Sequence, residues 1–150
     1  MKINTFVIMS VLCVLAVSSC FSSNNKLAVT LGNPWVGVKY AVSAKVGSEL
    51  RYAIDPDITN ITARASYDFL SKDKLRGFAG LEYGMISFNY DGISGDGNSY
   101  APFIGGELGL TDKLGVGLDF GYSTINLKAQ DVSVSGPEYV FNLFLTYGIK

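Results

Sequence analysis

The chain has 150 residues, with 12 lysines and arginines, 13 aspartates and glutamates, and no histidine. This length suits one domain, and a formal net charge of −1 argues against a nucleic-acid partner because such partners are held by basic surfaces. The 17 glycines, nine tyrosines and nine phenylalanines are typical of a chain rich in turns and strands.

The N-terminus has the pattern of an export signal. Lys2 supplies a positive charge, residues 3–17 are mostly apolar, and small residues follow at Ser18 and Ser19. This pattern predicts a cleaved secretory signal peptide over residues 1–19. No later apolar run approaches the roughly 20 residues of a transmembrane helix, so a mature chain that crosses a membrane must do so with strands.

The signal ends in Val17-Ser18-Ser19-Cys20, which resembles the lipobox of bacterial lipoproteins. The resemblance implies a lipid on Cys20. The alternative is ordinary cleavage after Ser18 or Ser19. The other cysteine, Cys13, lies inside the signal, so the mature chain cannot form an internal disulfide. Residues 20–25 form a short segment before the predicted domain, residues 26–150.

Turn-forming residues divide the domain at regular intervals. Short polar connections at 43–45, 71–74 and 111–113 alternate with turns at 32–34 and 55–57 and with predicted loops at 91–99 and 128–137. The two sets should therefore lie at opposite ends of an antiparallel meander. Eight strands are predicted, at residues 26–31, 35–42, 46–54, 58–70, 75–90, 100–110, 114–127 and 138–149.

The fourth strand shows the alternation most clearly. Its odd positions are apolar (Ile61, Ala63, Ala65, Tyr67 and Phe69), and its even positions are polar (Asn60, Thr62, Arg64, Ser66 and Asp68). Alternate side chains of a strand point to opposite faces. A soluble barrel keeps its apolar face inside, whereas a face of small and charged residues fits the narrow lumen of a membrane barrel.

Several large apolar residues fall on the lumen side of this pattern. The sequence leaves open whether they lie above the bilayer, beyond a bulge, or in a strand whose register differs. They are Phe78, Ile86, Phe103, Val140 and Phe144.

The same pattern predicts a charged interior of three positive and five negative side chains. The predicted lumen residues are Lys39, Glu49, Arg51, Arg64, Asp68, Glu82, Glu107 and Asp119. An unpaired buried charge costs several kcal/mol, so these groups should pair, with Glu82 and Glu107 as acceptors for arginine. The result would be a salt-bridged plug. The alternative is a narrow, weakly cation-favouring pore.

The dyad period, the short turns at one end and the final strand LTYGIK resemble the small eight-stranded outer-membrane barrels of Gram-negative bacteria, the OmpA and OmpX type. The resemblance covers residues 26–150. It implies an all-β, antiparallel up-and-down transmembrane barrel in the bacterial outer membrane, with short turns in the periplasm and long loops outside. It also implies aromatic girdles at both interfaces, for which the candidates are Trp35, Tyr40, Tyr52, Tyr67, Tyr83, Tyr122, Tyr139 and Tyr147.

The partners implied are membrane lipids, the outer-membrane assembly machinery, and an extracellular partner reached through the loops at 91–99 and 128–137.

No cofactor, metal or catalytic residue is expected. Ser66, Ser87 and Ser123 have no nucleophile-elbow context, and residues 95–98 lack the ligand order of a calcium loop. We therefore expect a non-enzymatic barrel with a structural or surface-interaction role. The alternatives are the narrow pore and a secreted or periplasmic lipid-binding barrel.

Overall fold

The structure, a computed structural model, describes residues 26–90, 92–130 and 132–149. Within these residues eight strands follow one another: β1 (Leu27–Gly32), β2 (Trp35–Ala41), β3 (Val46–Asp55), β4 (Ile58–Lys72), β5 (Leu75–Tyr90), β6 (Ile93–Gly109), β7 (Leu114–Ala129) and β8 (Val132–Ile149). Each strand pairs antiparallel with its chain neighbours, and β8 pairs with β1, so that the sheet closes into a barrel. The predicted eight-stranded up-and-down barrel is confirmed.

The two faces of the wall follow the predicted alternation. In β7, Gly117 and Asp119 are buried inside the barrel, whereas Leu118 and Phe120 are exposed on the outside. Leu81 and Leu143 are likewise exposed on the outer surface. The barrel therefore has large apolar groups outside and small or charged groups inside, which is the arrangement of a transmembrane barrel rather than a soluble one.

At one end of the barrel, called here the terminal end, short turns join β2 to β3, β4 to β5 and β6 to β7. Two of these turns close in the same way. Ser43 Oγ accepts hydrogen bonds from the backbone N–H groups of Lys45 and Val46, and Thr111 Oγ1 accepts from those of Lys113 and Leu114. A hydroxyl oxygen on the short Ser or Thr side chain satisfies these donors and holds the turn.

At the opposite, distal end the predicted loops are wrong. Residues 93–99 belong to β6 and residues 132–137 to β8, and the described residues next to these strands, Gly92 and Gln130, have φ of 79° and 51°. Gly95 and Gly97 suggested a loop by their composition. In the structure Gly95 lies under the ring of Phe88 and Gly97 under the side chain of Leu127, where a Cβ atom would collide. These glycines accommodate bulky neighbours within the sheet.

The barrel wall has unequal heights. β1 and β2 have six and seven residues, whereas β5 to β8 have 16 to 18. At the terminal end Leu27 pairs with Ile149, so the extra length of the long strands projects at the distal end. In the described register β8 meets β1 only from Phe144 to Ile149, and its segment Val132–Leu143 pairs with β7 alone. We call β1–β2 the low wall and β5–β8 the tall wall.

The predicted signal peptide at residues 1–19, the segment 20–25 and the lipidation of Cys20 lie outside the described residues. Among the residues that are described, no helix has the length and apolar character needed to span a membrane.

Candidate functional site: the charged interior of the barrel

Asp119, on β7, is the centre of the interior. The residue is 0 % exposed, and its carboxylate points into the lumen. Asp119 Oδ2 is 2.9 Å from Arg64 Nη1 and 3.3 Å from Arg51 Nη2, and Asn142 Nδ2 donates to Asp119 Oδ1 at 2.8 Å. These contacts join β3, β4, β7 and β8 across the lumen, so the two halves of the wall are held together through one carboxylate.

Two further carboxylates flank the arginines. Glu49 Oε2 lies 3.1 Å from Arg51 Nη2 and 3.6 Å from Arg64 Nη1, and Glu82 Oε2 lies 3.0 Å from Arg64 Nε. Thr30 Oγ1 donates to Glu49 Oε1 at 2.6 Å, which links β1 to the same network. Three carboxylates therefore surround two guanidinium groups. We call these five residues and Asn142 the central cluster.

A second group of charges lies nearer the terminal end. Glu107 Oε2 accepts from Lys39 Nζ at 3.0 Å and from Arg76 Nη2 at 2.6 Å, and Arg76 Nη1 lies 3.4 Å from Asp68 Oδ2. These four residues form the terminal cluster. They line the inner part of a cavity of about 350 Å³ that opens among the turns of the terminal end.

Aromatic rings separate and support the two clusters. The guanidinium carbon of Arg51 lies 3.6 Å from the centre of the Trp35 ring, and that of Arg64 lies 3.6 Å from the centre of the Phe103 ring. Phe78 contacts the terminal cluster, with Arg76 Cζ 5.0 Å from its ring centre. A cation over an aromatic face gains roughly 0.5 to 2 kcal/mol, and the rings also exclude water from the ion pairs.

The rings contact one another as well. Phe144 lies 6.2 Å from Trp35 and 6.4 Å from Phe78 between ring centres, and Phe78 lies 6.2 Å from Phe103. All four rings are buried. They form a connected row of rings inside the lumen.

The structure places all eight sequence-predicted charged residues inside the barrel, each in at least one ion pair. The expected acceptors Glu82 and Glu107 each contact an arginine. Arg76 was missed, although it lies an even number of positions from Glu82 on β5 and the alternation could have found it. With Arg76, the two clusters together have four positive and five negative side chains.

Four aromatic residues lie where the sequence did not place them. Phe78, Phe103 and Phe144, whose position the sequence left open, are buried in the lumen in the expected register. Trp35 was predicted as a girdle residue, and this was wrong: it is 6 % exposed inside the barrel, and its Nε1 donates to Asn142 Oδ1 at 3.3 Å. Its alternation with Gly37 and Lys39 points it inward.

Beyond the central cluster toward the distal end, small polar side chains line the lumen. A Cβ atom on Gly84 would meet Ser99 Oγ, Asn60 Oδ1 and Thr62 Oγ1, and Ser123 is buried on β7. We call Asn60, Thr62, Ser99 and Ser123 the floor layer. Ser87, another of the serines considered for catalysis, donates to Asp96 Oδ1 at 3.1 Å on the outer face, away from the lumen.

The segment that superficially resembles a calcium loop is part of a strand. Asn98 Oδ1 accepts a hydrogen bond from Asn126 at 3.1 Å, and Asp96 accepts from Ser87. In residues 26–90, 92–130 and 132–149, no group of three or more histidine, cysteine, aspartate or glutamate side chains is arranged to hold a metal ion.

Comparison with solved structures agrees with this architecture. The barrel of Neisserial surface protein A (NspA) superposes with a TM-score of 0.60 at 13 % identity, over 82 % of this chain and 92 % of that chain. Acinetobacter baumannii CarO superposes with a TM-score of 0.48 at 13 % identity, over 84 % and 98 % of the two chains. No protein-family model and no curated protein sequence matches the chain. At this identity the likeness to NspA shows the fold.

Proposed function

We propose that the chain is a non-enzymatic outer-membrane barrel of the OmpA and OmpX type with a closed lumen and a structural or surface-interaction role. The observation that carries the proposal is the closure at Asp119, whose carboxylate accepts from Arg51, Arg64 and Asn142 at 0 % exposure. An eight-stranded barrel is just wide enough for side chains to fill. Ion pairs that cross such a lumen support a closed interior over an open aqueous path.

The apolar outer surface supports residence in a membrane. Leu81, Leu118 and Leu143 would each face hydrocarbon, and the tyrosines Tyr52, Tyr83, Tyr122 and Tyr139 are exposed toward the distal end as an interfacial girdle would be. In this orientation the terminal end faces the periplasm and the tall wall projects outside the cell. The contiguous apolar exterior weighs against the alternative of a secreted or periplasmic barrel.

Single-channel recording in planar bilayers tests the closed lumen. We expect the parent protein to show no discrete conductance steps. The matched variant Arg51→Ser/Arg64→Ser/Phe103→Ala removes three of the side chains that fill the lumen and should introduce steps. Discrete steps from the parent, with a preference for cations, would contradict closure and favour the narrow pore, because the two clusters carry one more negative than positive side chain.

A further inference from the structure

The distal part of the tall wall reverses the polarity of the rest of the barrel. Gly84, Ser123 and Asn142 point inward, as their contacts and burial show. The strands continue from these residues without a register shift, so the alternation also directs the next apolar side chains inward. Together with Ile58, which follows Asn60 and Thr62 on β4 in the same way, they form what we call the distal apolar face: Ile58, Ile86, Phe88, Ile125, Leu127 and Val134.

The outer face at the same height is polar. Asn126 Nδ2 donates to Asn98 Oδ1 at 3.1 Å, and Ser135 Oγ donates to Asn126 Oδ1 at 2.7 Å, which makes a hydrogen-bonded row across β6, β7 and β8. Asp96 and Lys128 are also outside and exposed. A surface of this kind belongs in water, so the distal apolar face is not an extension of the surface that meets lipid.

The distal apolar face has no wall opposite it. β1 ends at Gly32 and β2 begins at Trp35, so the low wall stops near the central cluster. Val134 is 60 % exposed in consequence. Ile58 is 48 % exposed, and the other four side chains of the face are partly buried. Apolar surface that stays in contact with water in this way is typical of an interaction site.

Charge indicates what the face would bind. Glu138 pairs in register with buried Ser123 and therefore lies on the inner face, and it has no ion pair with any described residue. Beside the face, Asp57 and Phe88 line a cavity of about 370 Å³. Among the described residues Lys128 is the one cation beyond the floor layer, and alternation puts it outside. Carboxylates beside apolar side chains attract a cation and repel a phosphate or a sulfate.

We propose that the distal apolar face binds an amphiphile with one alkyl chain and a positively charged ammonium head. The chain packs against Phe88, Leu127 and Val134, and the head lies beside Glu138, where its charge is matched. This inference goes beyond the proposed function and depends on the tall wall, not on whether the lumen conducts.

Methyl-detected NMR of the full chain in phosphatidylcholine nanodiscs tests the proposal. Dodecyltrimethylammonium, added below its micelle-forming concentration, should shift the methyl signals of Ile86, Ile125 and Leu127 to saturation. Tetramethylammonium, which lacks the chain, and dodecyl sulfate, which reverses the charge, should not. Signals of Leu118 report partitioning into the bilayer and should change without saturating.

Variants separate the contribution of the apolar side chains to binding from that of the Glu138 carboxylate. Leu127→Asn should weaken binding by about tenfold or more because a buried apolar side chain is lost, and Glu138→Gln should weaken it by about two- to fivefold, as for an exposed ion pair. Asn126→Ser, on the outer face of the same strand, is the matched control and should leave the affinity unchanged. If Leu127→Asn does not fold, Val134→Ser makes the same comparison at the free edge of the sheet.

Absence of saturable shifts at Ile86, Ile125 and Leu127 would overturn the proposal, as would equal binding of dodecyl sulfate. The outcome is separate from the conductance test. A parent protein that conducts but binds the cationic amphiphile would refute the closed lumen alone, and a closed barrel without binding would refute this inference alone.

Discussion

Arg64 Nη1 and Asp119 Oδ2 lie 2.9 Å apart in the centre of the barrel, although 55 positions separate the two residues in the chain. Arg64 comes from β4 and Asp119 from β7, so the pair spans the lumen instead of joining neighbouring strands. The Phe103 ring supports the Arg64 guanidinium from the side. The alternation in β4 and β7 predicts that both side chains point inward. Their contact across the lumen supports the closed interior that the proposed function requires.

Asp119→Asn should lower the free energy of unfolding by about 3 to 5 kcal/mol, because it leaves confined cations short of a carboxylate. Arg64→Met should cost much less in the Asp119→Asn background than in the parent, since it removes one of those cations. A coupling of about 1 to 3 kcal/mol is expected. Urea unfolding in phosphatidylcholine vesicles measures all four proteins, and strictly additive costs would show that the pair does not interact.

Leu118→Arg tests which face of β7 meets lipid. Leu118 is 49 % exposed on the outside, so an arginine there would face hydrocarbon and should cost about 2 to 4 kcal/mol. Leu118→Ala is the control for lost side-chain volume and should cost less. The same vesicle titration measures both variants. Equal stability of Leu118→Arg and the parent would mean that this face is in water.

Trp35, the single tryptophan of the chain, reports on the interior. Because its ring is buried inside the barrel, we expect phosphatidylcholine with brominated acyl chains to quench its fluorescence weakly. As a control, Tyr139→Trp in a Trp35→Phe background places the ring where the native side chain is 71 % exposed on the outer surface, and quenching there should be strong. Strong quenching of Trp35 itself would show that its ring faces lipid, as a girdle residue does.

Gly80→Ala should destabilise the barrel by about 1 to 3 kcal/mol through overpacking. A Cβ atom on Gly80 would collide with the backbone oxygen of Ala65 and with the ring of Phe103, which lies against Arg64. Gly106→Ala is the matched control, because the nearest atom to its Cβ would be the Arg76 backbone oxygen at 3.6 Å, an ordinary contact. Thermal unfolding of the two variants in the same detergent should rank Gly106→Ala as the more stable.

Cys20 lies in the exported N-terminus predicted from the sequence. If residues Val17–Cys20 act as a lipobox, mass spectrometry of the mature protein should find an acylated N-terminal cysteine. Cys20→Ala should change the processing and leave the barrel intact, because the strands provide most of the membrane affinity. An unmodified N-terminus at Ser19, Cys20 or Phe21 would reject lipidation.

The residue pattern was enough to predict eight strands, the two faces of the wall and eight of the charged residues that point inward, although not the distal parts of β6 and β8. These features depend on the period of two in a strand, which is local and is written directly into alternations such as Arg64, Thr62 and Asn60 against Ala63 and Ile61. Arg76, which was not among the predicted lumen residues, also follows this alternation. Gly95 and Gly97 led to the wrong prediction of a loop. A glycine that makes room for a bulky side chain on the next strand cannot be distinguished, from the residues around it in the sequence, from a glycine in a loop.

The pairing of the charges and the length of each strand depend on closure of the barrel, and the sequence did not show them. Arg64 pairs with Asp119 because the closed ring brings β4 and β7 to opposite sides of one narrow lumen, a relationship that no spacing along the chain expresses. Trp35 follows the inward alternation of Gly37 and Lys39 and packs its ring on the Arg51 guanidinium, a contact between strands that its assignment to the girdle did not consider. The distal apolar face is likewise uncovered because β1 pairs with only the last third of β8, and a pairing between the two ends of a chain is set by closure of the barrel and not by local pattern.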